Sequence, residues 1–471
     1  MTEQPEQIEN RTFDEIRIGD TASLQRTLTE EDIQLFALVS GDVNPAHMDA
    51  DFANSDLFQR VIAHGMWGGG LISAVLGTEL PGPGAIYVGQ SLRFLLPVSL
   101  GDTITATVRV TEKRPDKHIL IFDCRCTNQQ GQEVISGVAE IKAPLVKVRR
   151  DRPMLPHVRI SDHDDYNRLI EATKNGDPVP TAIVHPCSPA AINAACEAQE
   201  EGLIVPLLVG PEARIRQAAQ EAGRDISSYS IFPAPHSHAA AAKAVEMVHK
   251  GEARALMKGS LHTDELMGAI IARDTGLRTE RRISHAYLMS VPGHDTPFII
   301  TDAAINIAPT LEEKADIIRN AIDLAHVLGI EMPKVAILSA VETVNPAIPS
   351  TLDAAALCKM ADRGQISGGV LDGPLAFDNA VSLAAAKEKG IVSPVAGQAE
   401  ILVVPNLEAG NMLAKQLTFL SDADAAGIVL GARVPVILTS RADSLRTRLA
   451  SCAVAVLLAR AATKAAPGLP Q

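Results

Sequence analysis

Thr103-Ile104-Thr105-Ala106-Thr107-Val108-Arg109-Val110-Thr111 alternates strictly, with Ile104, Ala106, Val108 and Val110 on one face and the threonines and Arg109 on the other. A period of two marks a strand buried on one side only. Working outward, Ile119–Thr127 and Glu133–Lys142 read as a hairpin around Asn128-Gln129-Gln130-Gly131, and Tyr87–Leu95 as a further strand. Two helices precede these strands. Glu30–Val39 opens on a Thr29-x-x-Asp32 capping pattern. His64–Glu79 carries Gly65, Gly68, Gly69 and Gly70. Each glycine disfavours helix by about 1 kcal/mol, so something must need the missing side chains. A sheet wrapped tightly round this helix supplies that need.

The pattern changes near residue 146. Beyond residue 160 short apolar runs alternate with helical segments: Thr181–His185, Leu203–Gly210, Ala253–Met257, Pro297–Thr301, Lys334–Ser339, Ile401–Pro405 and Val434–Thr439. Such alternation implies parallel sheets covered on both faces. Between the halves lies Lys147–Pro156, basic and proline-bearing, which reads as a solvated connector or, through its arginines, as a phosphate contact.

The chain has 471 residues, enough for two to four domains, and a net charge of −13. Residues 1–146 hold 11 Lys/Arg against 20 Asp/Glu, net −9, and the remainder 32 against 36, net −4. An acidic chain with 3% aromatics is a poor match to nucleic acid or a membrane surface. Six scattered cysteines make no disulfide framework and read as reduced thiols. The polar, acidic Met1–Glu15 is no targeting peptide, and the most apolar stretch, near Ala450–Ala459, is too short to span a bilayer. These features lead to the expectation of a cytoplasmic protein.

The densest chemistry of the first half is Ser40-Gly41-Asp42-Val43-Asn44-Pro45-Ala46-His47. Gly41 and Pro45 shape a tight loop that holds a carboxylate near an imidazole. Such a pair can take a proton from one water and return one to a neighbouring atom. On spacing alone it also fits a capping aspartate and a surface histidine. Together with Ile62-Ala63-His64-Gly65-Met66 and Gln90-Ser91-Leu92-Arg93-Phe94, the segment resembles the MaoC-like (R)-specific enoyl-CoA hydratases over about residues 10–145. The resemblance implies a hot-dog fold, with Asp42 and His47 activating water for addition to a trans-2-enoyl-CoA. It also places the thioester oxygen at backbone N–H groups near Gly65, where a helix N-terminus offers free donors. Arg93 reads equally as a steering group for CoA phosphates or as a solvent-facing ion-pair partner. Thioester hydrolysis, the rival hot-dog activity, does not require the Asp/His loop.

The second half has no P-loop, dinucleotide fingerprint or HExxH. His236-Ser237-His238 reads as a helix cap rather than a metal site. Instead, strand-to-helix turns recur at Lys258-Gly259-Ser260, Asp372-Gly373-Pro374, Pro394-Val395-Ala396-Gly397, Glu408-Ala409-Gly410-Asn411 and Thr439-Ser440-Arg441. Glycine and short polar residues at helix N-termini suit anions. With Arg282-Ile283-Ser284-His285 and Thr301-Asp302-Ala303, these stretches resemble the phosphate acetyltransferase/butyryltransferase family over about residues 165–465.

That family moves an acyl group between CoA and inorganic phosphate without a metal, in a cleft between two subdomains. The resemblance implies that Arg441 and Arg282 bind phosphoryl oxygens and the acyl carbonyl, and that Ser440 stabilises the tetrahedral centre or the departing thiolate. Lys258, Gly397, Gly410 and Asn411 are assigned to ligand binding. Thr447 stands where phosphate acetyltransferases carry an aspartate seven residues after the serine, and Asp443 is out of register. The Ser-Arg-Ala-Asp-Ser run is closer to the butyryltransferase branch, which suits an acyl group longer than acetyl.

The sequence therefore predicts an α+β hot-dog domain followed by an α/β two-lobed acyltransferase with parallel sheets. Expected boundaries are 1–146 for the hydratase domain, 147–159 for a linker and 160–471 for the acyltransferase. Within the last, one lobe takes 160–292 plus 431–471 and the other 293–430. The expected function is bifunctional, with enoyl-CoA hydration in one half and acyl transfer to phosphate in the other. The alternative is one idle half, serving as an acyl-CoA-binding or oligomerisation module. CoA thioesters and phosphate are substrates, no cofactor is tightly bound, no metal is expected, and the chain forms a homo-oligomer of two or more subunits.

Overall fold

The computed structural model describes residues 7–55, 57–154, 158, 164–294, 296–438 and 443–465. It falls into two compact units, Met1–Ile160 and Ser161–Gln471. The strands of the first are β1 (Gln7–Glu9), β2 (Thr21–Thr27), β3 (Ile86–Phe94), β4 (Thr103–Arg114), β5 (Ile119–Thr127), β6 (Glu133–Lys142) and β7 (Arg149–Asp151). Five of them form an antiparallel sheet in the order β2-β4-β5-β6-β3. Strand β7, inside the expected linker, pairs antiparallel with β1 as a separate ribbon.

The alternation of β4 has the expected outcome: Ile104, Ala106, Val108 and Val110 are all fully buried. With Leu120, Phe122, Cys124 and Cys126 of β5 they pack on Trp67, Leu71, Ile72, Val75 and Leu76 of the central helix, Gly65–Thr78. This is the hot-dog arrangement, an antiparallel sheet closed round one helix. The glycines show why it closes. A Cβ on Gly68 would stand 2.4 Å from Ile135 Cδ1, and one on Gly65 3.1 Å from the Phe94 ring, whereas Gly70 faces open space.

The second unit is built on β8 (Val179–Val184), β9 (Ile204–Gly210), β10 (Ser230–Pro233), β11 (Ala255–Lys258), β12 (Ser284–Ser290) and β13 (Phe298–Thr301). It continues with β14 (Lys334–Leu338), β15 (Val370–Leu375), β16 (Ile401–Val403), β17 (Asp424–Leu430) and β18 (Val436–Ile437). All eleven join one sheet, β10-β9-β8-β11-β18-β17-β12-β13-β16-β14-β15. Along β8, Val179 and Ile183 enter one apolar cluster while Ala182 and Val184 enter another on the opposite face. Both faces are covered by helices, so the strands read as continuous apolar runs.

The sheet is not uniformly parallel. β10, β9, β8, β11 and β18 run together, and β13, β16, β14 and β15 run together. Antiparallel pairings of β18 with β17, β17 with β12 and β12 with β13 reverse the direction between the two blocks. Among the described residues no helix is long and apolar enough to cross a membrane.

Candidate active sites

Each residue of the Ser40–His47 loop has a local task. The preceding helix, Glu30–Ser40, starts on the reciprocal cap in which Thr29 Oγ1 accepts from the Asp32 N–H and Asp32 accepts from the Thr29 N–H. It ends at Gly41, whose φ of 75° is left-handed and suited to glycine. Ser40 Oγ donates to the Phe36 carbonyl and accepts from the Asp42 N–H. Asn44 Oδ1 then accepts from the Ala46 N–H at 3.1 Å, capping the short helix Pro45–Met48 with Pro45 in its first turn. A helix end and a helix start, with only Asp42 and Val43 between their caps, thus fix Asp42 and His47.

Backbone carbonyls set the tautomers of two imidazoles. His47 Nδ1 lies 2.9 Å from the Ile62 oxygen, and His64 Nε2 lies 2.9 Å from the Asp42 main-chain oxygen. A carbonyl only accepts, so each of these nitrogens carries the proton when the ring is neutral, leaving His47 Nε2 and His64 Nδ1 as lone pairs. The rings sit 4.1 Å apart, and donor atoms of Asp42, His47 and His64 lie within 4.8 Å of one another. Ile62 bridges to Ser99, and the Ala63 N–H donates to the Val98 carbonyl, anchoring the segment that delivers His64.

His47, His64 and Gly65 open on a cavity of about 230 Å3 whose walls include Trp67, Phe94, Leu96 and Ile135. Asp42 is exposed beside it. Gly65 is the first residue of the central helix, so its N–H and that of Met66 have no acceptor within the helix, while the Trp67 N–H donates to the His64 carbonyl. The cavity therefore brings together an apolar wall, a lone-pair imidazole and helix-terminal donors. Arg93 is exposed on β3, and no described carboxylate pairs with it. Burial pushes the Cys124 and Cys126 thiols to about 11 and 12, which excludes a thiolate nucleophile in this core at neutral pH.

In the second unit the predicted residues gather at two opposite edges of the sheet. At the carboxyl ends of β8 and β11, the Ser260 N–H donates to the His185 carbonyl and Ser260 Oγ donates to Ser188 Oγ at 2.6 Å. Lys258 ends β11 there, and a Cβ on Gly259 would stand 2.4 Å from the Val184 oxygen. Ser188 caps the helix Pro189–Glu200 through the Ala191 N–H.

Arg282 precedes β12 and lies at the other edge, so the fold does not bring it together with Lys258. Its Nε donates to Asn306 Oδ1 at 2.7 Å and its guanidinium meets Glu313 at 3.0 Å, with the side chain half exposed. Asn306 in turn donates to buried Asp302, which also accepts the N–H groups of Ala304, Ile305 and Asn306. Gly410 and Asn411 dock the helix Leu407–Leu420 on the same turn. A Cβ on Gly410 would stand 2.8 Å from the Asp302 oxygen, and Asn411 Nδ2 donates to the Ala303 carbonyl.

Comparison with known proteins decides the family. Residues 236–456 match the phosphate acetyl/butaryl transferase model, and residues 17–121 match the MaoC like domain. Over 294 residues the chain is 64% identical to the phosphate acetyltransferase of Rhizobium meliloti, covering 62% of this chain and 93% of that one. The chain belongs to the phosphate acetyl/butaryl transferase family. It carries a MaoC-like domain in the same polypeptide. The phosphate acyltransferase unit is also similar to the branched-chain phosphotransacylase of Enterococcus faecalis V583, at 30% identity and a TM-score of 0.53, covering 59% of this chain and 99% of that one. A further similarity is to the R-hydratase PhaJ1 of Pseudomonas aeruginosa, 45% identical over 33% of this chain and 99% of that one, with a TM-score of 0.32.

The remaining assignments of the acyltransferase unit divide as follows. Ser440 and Arg441 lie outside the described residues. Gly397 has a left-handed φ of 77°, and its Cα approaches Leu383 so closely that a Cβ would stand 2.6 Å from the Leu383 backbone. Thr447 is buried in the first turn of Leu445–Ala465, where its N–H and hydroxyl meet Ser444 Oγ. His236 accepts from the Ala239 N–H as the cap it was expected to be, and all six cysteines are free.

Sequence reasoning gave no role to His64, although its place directly before a glycine-rich helix was a visible signal. It also passed over Asn306, which links Arg282 to Asp302, and His285. The latter is fully buried, and among the described residues neither ring nitrogen has a hydrogen-bond partner.

Proposed function

We propose that the chain is a bifunctional enzyme of CoA thioesters, adding water to a trans-2-enoyl-CoA in its first unit and moving an acyl group between CoA and phosphate in its second. The observation that carries the hydratase reading is the His47 tautomer, with Nδ1–H held by the Ile62 carbonyl and Nε2 left as a base at the mouth of an apolar cavity. Asp42 and His47 hold one water. His47 Nε2 takes its proton as the oxygen adds to C3, and the pair returns a proton to C2, giving the (R)-3-hydroxyacyl-CoA. Negative charge on the thioester oxygen meets the free N–H groups at Gly65 and the positive end of the central helix. The test is loss of enoyl absorbance from crotonyl-CoA. Asp42→Asn or His47→Gln lowers the rate by about 100-fold or more if either group acts in proton transfer. An unchanged rate in both variants removes the reading.

For the second unit, 64% identity to a phosphate acetyltransferase supports acetyl-CoA and phosphate as the substrates. Acyl phosphates concentrate negative charge that guanidinium groups neutralise, which suits Arg441 and Arg282. Thr447 offers no carboxylate, so the CoA thiol loses its proton elsewhere. CoA release from acetyl-CoA should require phosphate and collapse in Arg441→Ala, whereas phosphate-independent release would indicate hydrolysis. No cofactor enters either step of this scheme. Six free cysteines suit a cytoplasmic setting.

A homo-oligomer joined through β3 completes the proposal. β3 is an edge of its sheet, and Ile86 and Val88 on it are 59% and 54% exposed. An apolar, unpaired edge favours pairing with a second copy.

A further inference from the structure

The proposed hydration leaves His64 without a chemical task, yet the residue is only 3% exposed, lines the cavity and has no partner for Nδ1. We propose that Asp42, His47 and His64 form a site for a divalent transition-metal ion such as Zn2+ or Co2+, and that the ion silences the water-activating pair. Three observations carry this. Donor atoms of the three residues lie within 4.8 Å of one another. Both rings give their other N–H to a main-chain carbonyl, of Ile62 and of Asp42, which is the outer-shell contact that orients a metal-bound histidine. The set of two imidazoles and one carboxylate suits borderline ions and leaves a fourth position open.

Bonds of about 2.0–2.1 Å in a four-coordinate zinc hold donors about 3.4 Å apart, so binding draws the donors, now within 4.8 Å, in by up to about 1.4 Å. Exposed Asp42 can supply that movement by side-chain rotation. The sequence contains no CxxC pair or HExxH and predicted no metal. The site arises from a loop and a helix start 22 residues apart, which no local motif announces. Once bound, the ion occupies the lone pair of His47 Nε2 and the charge of Asp42, so the pair cannot take a proton from water. This inhibitory consequence rests on the hydratase reading, whereas the binding itself does not.

Trp67 is the one tryptophan of the chain and lines the same cavity, so its emission reports on the site directly. Tag-free, full-length protein freed of metal with chelator is titrated with Co2+. The expected result is saturable quenching at one ion per chain, reversed by Zn2+, with hydration lost in proportion and restored by chelator. Asp42→Asn, His47→Gln and His64→Gln should each weaken Co2+ binding by at least about tenfold, the loss seen even for outer-shell partners. His64→Gln retains an N–H for the Asp42 carbonyl, and unchanged metal-free Trp67 emission certifies its fold. Absence of saturable quenching, or an affinity unchanged from the parent in all three variants, overturns the proposal. So does full-rate hydration with the site filled. Crotonyl-CoA hydration measured in chelator judges the hydratase reading separately.

Discussion

A methyl group added at Gly70 meets nothing within 4 Å, whereas one at Gly137 stands 2.0 Å from the Ser91 carbonyl oxygen. Gly70→Ala in the exposed face of the central helix should therefore raise stability by up to about 1 kcal/mol. Gly137→Ala should lower it by more than that, because β3 must move off β6. Thermal unfolding followed by Trp67 emission checks both signs. His285 offers a second residue-scale test. Burial pushes its pKa down from 6.5 to about 4, with nearby Asp302 opposing. The native ring stays neutral while the unfolded ring titrates near 6.5. Its stabilising contribution is thus complete above that pH and is lost as the pH falls through 6.5 towards 4. The acid slope from this one group is at most about 1.4 kcal/mol per pH unit. Unfolding midpoints between pH 7 and 4.5 should show a shallower decline in His285→Leu than in the parent, and identical slopes would remove the assignment.

At the scale of elements, the hydratase loop is a relay of caps, so its chemistry depends on residues that touch no substrate. Asn44→Ala removes the acceptor for the Ala46 N–H and should cost about 1 kcal/mol. It should lower kcat for crotonyl-CoA with little change in KM, and Asn44→Asp, which keeps the acceptor, should recover most of the rate. This loop was legible because each residue type announces a local conformation. β5 and β6 were equally legible, since alternation and a Gly131 turn fix both ends. β12 and β17 were not. β12 buries Ser284 and His285, which breaks the apolar pattern, and β17 is a continuous apolar run that no period separates from helix. Those two strands carry the reversal of direction, so the expected parallel sheets emerged without their antiparallel centre. Arg282 and Lys258 are apart because β12 runs in the same direction as β11, so the start of one and the end of the other lie at opposite edges, which no spacing along the chain reveals. His64 escaped assignment for a similar reason, since its partner is the main chain of Asp42 rather than a side chain.

For the whole molecule, the exposed apolar edge of β3 makes assembly testable. Ile86→Lys with Val88→Lys should at least halve the particle mass measured by light scattering, since a charged edge repels its own copy. An unchanged mass would place the contact elsewhere. The reversal within the eleven-stranded sheet has an electrical consequence. Helices returning between parallel strands point their positive ends at the carboxyl ends of those strands, and here the two blocks face opposite ways. Their dipoles oppose, so the far field of the acyltransferase unit cancels rather than accumulates. Around a chain of net charge −13, approaching CoA and phosphate are repelled at long range and attracted only within a Debye length of either rim. Added salt should then speed their capture until it begins to screen the contacts themselves.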